Sequence, residues 1–280
     1  MTLHLRLAAI LAGVVLAATA HPASFQQRSG SEPIPDVGEI MKTVLDRYVE
    51  QEERGAELRY ESRILTTVHS LDKELEVTET ETRLHHRYPL EGELYEELVE
   101  LDGEPLDAGD LDDERERREE FIREVREREE DDDPIETNDD REIEVETLLD
   151  RYVATITGVE TIDGEPCWVV SFTPRAGKLP EKTRMDHMLN RSSGTLHVTQ
   201  RDYGVRLIEF RIQRPTRYFF GIATLRHAAG RLDFERVEPD VWLPQRFAFA
   251  MELRVLFRTS RQQIVREWVS RDRLPEAAAD

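Results

Sequence analysis

The stretch VWLPQRFAFAMELRVLF, residues 241–257, indicates the fold of this chain. Every second residue from position 247 to position 257 is large and apolar, and most residues between them are small or polar. Because side chains alternate between the two faces of a strand, the pattern predicts one long strand with a single apolar face. Such a strand belongs in an antiparallel sheet that is covered on one side. The apolar face consists of Phe247, Phe249, Met251, Leu253, Val255 and Phe257.

Strand patterns separated by turn signals fill the chain from residue 151 onward. They are YVATITGVETI (152–162), CWVVSFTP (167–174), GTLHVTQ (194–200), VRLIEFRIQ (205–213), TRYFFGIATLRHAAG (216–230), RLDFERV (231–237) and, after a break at Thr259–Ser260, QQIVREWVSRDR (262–273). Serial hairpins with few helices between them predict a mainly β fold, built as a broad antiparallel sheet or an open barrel.

Several apolar residues of these strands are expected to share the face of the 241–257 strand. They are Trp168, Val170, Phe172, Ile208, Phe210, Ile212, Phe220 and Ile222. This shared face either lines a cavity for an apolar ligand or fills a closed core, since a packed sandwich would use the same alternation.

An amphipathic helix is predicted to precede the sheet. It opens at Pro35–Asp36, places Val37, Ile40 and Val44 on one side, and stops at Gly55. Strand patterns then follow up to about residue 101. The predicted fold is therefore an antiparallel sheet with an N-terminal helix.

The negative charge of the chain is concentrated in one segment. Residues 91–150 hold 29 Asp and Glu against 7 Arg, whereas the net charge of the whole chain is −21. Within this segment, residues 105–140 predict an acidic helical insert over or beside the sheet, with i, i+4 pairs Glu114–Arg118, Glu119–Arg123 and Glu124–Arg128. The insert is either a solvated outer helix or a docking or lid helix for a basic partner. Such acidity argues against a nucleic-acid partner.

The first 20 residues have the pattern of a secretory signal peptide. A short front with Arg6 precedes an apolar run, and Ala18–Thr19–Ala20 predicts cleavage between Ala20 and His21. A retained membrane anchor is the alternative. We expect a flexible lead at 21–34, one domain at 35–273 and a disordered tail at 274–280. The single cysteine, Cys167, gives an exported chain no disulfide framework.

The order of these parts resembles the LolA/LolB-like superfamily of periplasmic carriers that sort outer-membrane lipoproteins. The resemblance rests on the signal peptide, the entry helix DVGEIMKTVLDRY, and the segments GVETIDGEPCWVVSFTP, GTLHVTQRDYGVRLIEFRI and VWLP. It implies an open antiparallel half-barrel whose concave apolar face binds lipid or the acyl chains of lipoproteins. It also implies a soluble periplasmic monomer without catalysis or cofactor, with an inner- or outer-membrane protein as a further partner.

Two other classes of function stay open. A periplasmic sensor of lipid or envelope stress would use the same apolar face and pass its signal to a regulatory partner. A secreted hydrolase is the second alternative, because Asp186 and His187 precede Ser192 and Ser193. No nucleophile elbow, phosphate loop, zinc motif or dinucleotide fingerprint supports catalysis.

Overall fold

The computed structural model describes residues 35–130, 151–179, 181, 184–218 and 222–275. Among the predicted features, the signal peptide with Ala20 and His21, the lead at 21–34, positions 131–140 of the insert, Phe220 and most of the tail lie outside the described residues. Within the described ranges, no helix combines the length and the apolar content needed to cross a membrane.

The described residues form twelve strands. These are β1 (Tyr60–Leu71), β2 (Val77–Leu90), β3 (Glu93–Leu101), β4 (Glu104–Pro105), β5 (Tyr152–Ile162), β6 (Glu165–Pro174), β7 (Ser192–Thr199), β8 (Val205–Ile212), β9 (Thr216–Tyr218), β10 (Ala223–Glu238), β11 (Val241–Val255) and β12 (Arg258–Arg273). The helices described are α1 (Val37–Glu53), α2 (Ala108–Glu130) and α3 (Arg184–Leu189), with a 3-10 turn at Ala56–Arg59.

All twelve strands belong to one antiparallel sheet. Their order is β4-β3-β2-β1-β12-β11-β10-β8-β7-β6-β5, and β9 pairs with β10 beside this path. The last strand, β12, lies against the first, β1, inside the sheet. In the part of the chain that the structure describes, β4 and β5 are the two edges, and the sheet does not close into a barrel. The predicted open, mainly β architecture is confirmed.

The α1 helix begins and ends where its local signals place it. The Asp36 carboxylate accepts hydrogen bonds from the backbone N–H groups of Gly38 and Glu39, at 2.8 and 3.2 Å. This cap satisfies two of the free donors at the helix start. Gly55 has φ of 57°, a left-handed conformation that glycine adopts without strain, and it stops the helix. The buried residues Ile40 and Val44 point at the sheet.

The end of β11 corrects the sequence prediction. The strand stops at Val255, and the two residues Leu256 and Phe257 form the turn into β12. The predicted strand to position 257 and the predicted break at Thr259–Ser260 are therefore wrong. Leu256 has φ of 53°, and its N–H donates to the carbonyl of Ile222 at 2.8 Å. The chain turns there because of this contact and the register of β12, although Leu and Phe are not turn-forming residues.

The segments 216–230 and 231–237 also differ from the prediction. Ala223–Glu238 is one continuous strand, β10, that passes through Gly230 without a break. A shift of register between Leu225 and His227 lets this long strand follow its neighbour β11. Gly230 is a strand residue because the ring of Phe210 occupies the space where a side chain would lie.

The α2 helix lies against the far side of β3. Tyr95 stacks on Phe121 at 5.0 Å between ring centroids, and its hydroxyl donates to the buried carboxylate of Glu114 at 2.5 Å. Tyr95 and Glu96 are neighbours in one strand and point to opposite faces. Glu96 lies on the apolar side of the sheet, as its contacts below show. The acidic helix therefore lies beside the sheet and does not cover its apolar side.

The ion pairs predicted for this helix are wrong in their spacing. Arg115, Arg117 and Arg123 each contact the carboxylate three positions before them in the sequence, Asp112, Glu114 and Glu120. Arg128 instead contacts Glu93 of β3 at 2.9 Å. Contacts with the sheet therefore compete with the i, i+4 pairs that the isolated helix would favour.

Candidate functional site

The side of the sheet that carries Phe247, here called the inner face, presents an apolar row across six strands. Strand pairing aligns these side chains one opposite the next, from β5 to β11. The row consists of Ile156, Val170, Leu196, Ile208, Leu232 and Phe247. Beyond β11 this row becomes polar, because Phe247 pairs with Arg266 of β12.

A second row of the inner face alternates aromatic residues with glycine. Its members, in strand order from β6 to β11, are Phe172, Gly194, Phe210, Gly230 and Phe249. A Cβ atom on Gly230 would overlap the ring of Phe210, and one on Gly194 would lie 2.8 Å from the ring of Phe172. Each ring therefore covers a neighbouring glycine, which allows close approach of side chain and backbone.

These rows form two buried clusters on the inner face. The first cluster has eight buried residues, with half-buried ones such as Met251, Leu253, Ile208 and Ile264 packed against them. The eight are Ile212, Leu225, Ala228, Leu232, Phe234, Trp242, Phe247 and Phe249. The second contains Val170, Leu196 and Val198 beneath Ile40 and Val44 of α1, with Trp168 packed at its side. The α1 helix thus covers the β6–β8 part of the inner face.

The end of α1 is fixed to β11 by a pair of hydrogen bonds. The Gln51 side chain donates to the carbonyl of Trp242 at 3.1 Å and accepts from its N–H at 3.0 Å. A register shift at Gln245 places Trp242 on the same face as Phe247, while Val241 and Leu243 pack with Ala56 in a separate cluster. The helix is therefore anchored across the inner face at the start of β11.

The sequence-predicted face is brought together only in part. Phe247, Phe249, Met251, Leu253, Ile208 and Ile212 meet in the first cluster, and Trp168 and Val170 belong to the second. Phe210 and Phe172 lie in the row with the glycines. In contrast, Ile222, Val255 and Phe257 have exposed fractions of 52%, 42% and 93% and lie outside both clusters.

Exposure increases along β11 toward its turn. Phe247 and Phe249 are buried, Met251 and Leu253 are half-buried, and Val255 is exposed. Met188 of α3 and Tyr218 of β9 are half-buried beside the same cluster. The deep part of the inner face is therefore packed core, and its end near the turn offers apolar surface that the described residues cover incompletely. We call this end, formed by Met188, Tyr218, Met251, Leu253 and Ile264, the open end.

Sequence analysis missed the contribution of β10 and of Trp242. Leu225, Ala228, Leu232 and Phe234 supply half of the buried residues in the first cluster. Their signal was present, because Ala228, Gly230, Leu232 and Phe234 alternate with polar or small residues. The glycine in this run concealed the alternation, since glycine inside a strand pattern more often marks a turn or bulge.

A half-buried ion pair borders the apolar region. Nη2 of Arg266 on β12 donates to both carboxylate oxygens of Glu96 on β3, at 2.9 and 2.8 Å. These strands are separated by β1 and β2, so the side chains meet across the inner face of a curved sheet. Burial alone would raise the pKa of Glu96, but the guanidinium groups of Arg266 and Arg87 hold it below its ordinary value. Burial lowers the pKa of the adjacent His85.

We expect the stability of the fold to decrease with acidification through this ion pair. A carboxylate with a depressed pKa in the folded state stabilises it above the unfolded pKa, and this contribution is lost as the pH falls through the folded value. For Glu96 the loss begins below about pH 4.5, and the lowered pKa of His85 adds a decrease that begins below about pH 6.5. Chemical denaturation as a function of pH measures both.

Glu96→Gln tests the assignment. It should lower the free energy of unfolding at pH 7 by about 1 kcal/mol, allowing for partial exposure of both side chains, and flatten the curve below pH 4.5. Glu79→Gln, on an exposed part of β2, should leave the curve unchanged. Equal curves for the parent and Glu96→Gln would show that Glu96 does not set the acid sensitivity.

A polar groove lies on the opposite, outer face. It has a volume of about 690 Å³ and is lined by Arg231, Asp233, Gln245, Arg246, Glu267, Trp268 and Val269. Its charges already pair with one another, since Arg231 contacts Asp233 at 2.6 Å and Arg246 contacts Glu267 at 3.2 Å. The groove is separate from the sequence-predicted apolar face and has the wrong polarity for an apolar ligand.

The residues considered for hydrolysis make other contacts, and Nδ1 of His187, the considered base, contacts the carboxylate of Glu181. The carboxylate of Asp186 is bound by Arg151, and the hydroxyl of Ser192 donates to the carbonyl of Met188 at 2.9 Å. Ser193 accepts from Gln213 at 2.8 Å. Burial raises the pKa of the Cys167 thiol to about 11, so this group stays protonated at neutral pH. Within the described ranges, no cluster of His, Cys, Asp and Glu could hold a metal ion.

No family model and no curated protein matches this chain. Among solved structures, it is similar to a LolA superfamily protein from Nitrosomonas europaea, with 10% identity, a TM-score of 0.33, and coverage of 87% of this chain and 96% of that one. It is also similar to a domain from Vibrio parahaemolyticus described as an outer membrane lipoprotein-sorting protein, with 9% identity, a TM-score of 0.38, and coverage of 87% and 96%.

A third similar structure is the MucA/MucB complex of Pseudomonas aeruginosa, with 13% identity, a TM-score of 0.27, and coverage of 86% of this chain and all of that one. At these identities and TM-scores, the similarity indicates neither a ligand nor a partner for this chain.

Proposed function

We propose that this chain is a non-catalytic binding protein that holds an apolar ligand, such as a lipid acyl chain, at the open end of its inner face. The observation that carries the proposal is the increase in exposure along β11, from the buried Phe249 through the half-buried Met251 and Leu253 to the exposed Val255. Met251 and Leu253 therefore continue the apolar cluster to surface that the described residues cover incompletely.

The chemistry of the open end suits an acyl chain. Met251, Leu253 and Ile264 offer carbon and sulfur surface that packs against the buried cluster. Covering such surface contributes about 25 cal/mol per Å² of apolar area removed from water. Methionine side chains adapt their shape to varied apolar partners, and both Met188 and Met251 pack against the cluster.

The proposed setting is the bacterial periplasm. The pattern of residues 1–20 supports export with cleavage after Ala20, and the resemblance to lipoprotein-sorting carriers supports a role in lipid or lipoprotein transport. We also propose that residues 35–273 act as one domain, because every described strand belongs to the same sheet. A periplasmic sensor that recognises the same ligand and then binds a regulatory protein is the alternative.

Binding of a fluorescent fatty acid tests the proposal with two neighbouring residues of β12. Ile264 pairs with Phe249 on the inner face, whereas the adjacent Val265 pairs with Ala248 on the outer face, and both are half-buried. Ile264→Gln should weaken binding of the probe by about tenfold, because a polar amide replaces apolar ligand contact. Val265→Gln should leave binding within about twofold of the parent.

Failure of the parent protein to bind the probe, or equal weakening by both variants, would contradict the proposal. Native mass spectrometry of the protein from its own host then separates the two roles. A carrier should retain lipid or lipoprotein, and a sensor should retain a membrane-anchored regulatory protein.

A further inference from the structure

The turn between β11 and β12 presents large apolar side chains to solvent. Phe257 has an exposed fraction of 93%, Leu256 of 59%, Ile222 of 52% and Val255 of 42%. The N–H of Leu256 donates to the carbonyl of Ile222 at 2.8 Å, so these residues form one unit. We call Ile222, Val255, Leu256 and Phe257 the apolar tip.

The apolar tip extends beyond the neighbouring strand. β1 ends at Leu71, which lies opposite Arg261 of β12, and Phe257 is four residues further along the hairpin. At about 3.3 Å per residue, the tip reaches about 13 Å past the end of β1. Two-residue hairpin turns favour Gly, Asn or Asp. Leu256 and Phe257 do not match this preference, and their exposed side chains contribute little to the packing of the sheet.

The surroundings of the tip are basic, although the whole chain has a net charge of −21. Residues 216–226 and 252–261 contain five Arg and one acidic residue, Glu252. Glu252 is already paired with Arg226 at 3.1 Å and with Arg261 at 2.8 Å. Arg217 and Arg258 are exposed beside the tip. The β1–β2 connection, with the acidic residues Asp72, Glu74 and Glu76, follows Leu71, which lies opposite Arg261, four residues from Phe257.

We propose that the apolar tip docks this protein on a bilayer that contains anionic phospholipids. Phe257 and Leu256 enter the interfacial layer, where aromatic and aliphatic side chains replace water contacts with acyl chains. Arg217 and Arg258 then contact the phosphate groups, as basic residues do at an anionic membrane surface. This inference rests on the tip alone and is independent of ligand binding at the open end.

Sedimentation of the purified chain with vesicles tests the proposal. Vesicles of equal parts phosphatidylcholine and phosphatidylglycerol should bind the parent protein, and vesicles of phosphatidylcholine alone should bind it less. Phe257→Asp should weaken binding to the mixed vesicles at least about tenfold, since the largest side chain that enters the interfacial layer is lost. Leu111→Asp, at another exposed apolar position, in the first turn of α2, is the control and should bind as the parent does.

A double variant separates the charge from the apolar contact. Arg217→Gln with Arg258→Gln should remove most of the preference for phosphatidylglycerol, and the residual binding to phosphatidylcholine should stay unchanged. Should Phe257→Asp fail to fold, Phe257→Trp provides the readout instead. The fluorescence of the added indole should shift to shorter wavelength when mixed vesicles are present. Lipids brominated on their acyl chains should quench this fluorescence.

Absence of vesicle binding by the parent, or equal binding by the parent and Phe257→Asp, would overturn the proposal. Self-association that Phe257→Asp abolishes, without any binding to vesicles, would assign the tip to a second copy of this chain and would overturn it as well.

Discussion

Replacing Gly230 with alanine is expected to lower the free energy of unfolding by about 2–3 kcal/mol, in the upper part of the range for overpacked cores. Gly230 lies in β10 between Phe210 of β8 and Phe249 of β11. A Cβ atom at this position would overlap the ring of Phe210. That ring is 5% exposed, so it has no free space into which it can move without disturbing the first cluster.

The control for this variant is Gly158→Ala. Gly158 is also a strand residue, in β5, but a Cβ atom there meets nothing within 4 Å. Its replacement should change stability by less than about 0.5 kcal/mol, or slightly stabilise the fold by restricting the unfolded chain. Urea denaturation of both variants gives the comparison. Equal effects of the two substitutions would show that the ring of Phe210 does not occupy the space above Gly230.

A double variant tests the contact directly. Phe210→Leu removes the part of the ring that a new methyl group would meet, so Gly230→Ala should cost less in this background than in the parent. Residues in contact show coupling energies of about 0.5–3 kcal/mol in such cycles. If the effects of Gly230→Ala and Phe210→Leu on the free energy of unfolding are additive, the destabilisation by Gly230→Ala arises in the backbone of β10 and not in contact with Phe210.

Local signals in the sequence were sufficient for the elements they control. Asp36 and Gly55 predicted both ends of α1, because a cap and a stop depend on residues within one turn of the helix. The alternation after Phe247 predicted the strand and its apolar face. The predicted open antiparallel sheet is confirmed for the same reason, since each hairpin is specified by its own alternation and turn.

Features set by distant contacts were not predictable in this way. The turn at Leu256–Phe257 follows from the pairing of β12 with both β11 and β1, and neither residue carries a turn signal. The continuity of β10 through Gly230 depends on Phe210, which is 20 positions earlier in the chain. Arg128 of α2 pairs with Glu93 of β3, which lies 35 positions earlier in the chain. Sequence spacing alone contains none of these three-dimensional neighbours.

The same limit applies to the candidate site. Alternation places Phe249 and Leu253 on one face, but it does not show how deeply each is covered. The α1 helix covers Val170 and Leu196, and the glycine row brings Phe210 close to Phe249, whereas no comparable element among the described residues covers Leu253 fully. The division of the inner face into a packed part and an open end therefore became visible only in the assembled fold.

This division leads to the largest effect that we expect. Phe249→Ala should lower the free energy of unfolding by about 3–5 kcal/mol, because loss of a buried aromatic ring leaves a cavity in addition to the lost transfer energy. Phe249 is 8% exposed and belongs to the first cluster. Leu253→Ala, four residues nearer the turn, should cost only about 1 kcal/mol, since its side chain is half-buried and solvent or ligand can occupy the space.

Denaturation in urea, with and without a saturating fatty acid, separates the two positions. The ligand should stabilise the parent and Phe249→Ala to a similar extent, because it contacts the open end and not the packed part. It should stabilise Leu253→Ala less. Arg254 is exposed on the opposite face of the same strand. Arg254→Ala should change neither the free energy of unfolding nor the stabilisation by the fatty acid by more than about 0.5 kcal/mol. If Phe249→Ala costs no more than Leu253→Ala and also loses ligand stabilisation, the inner face is open along its whole length, and the ligand reaches the ring of Phe249.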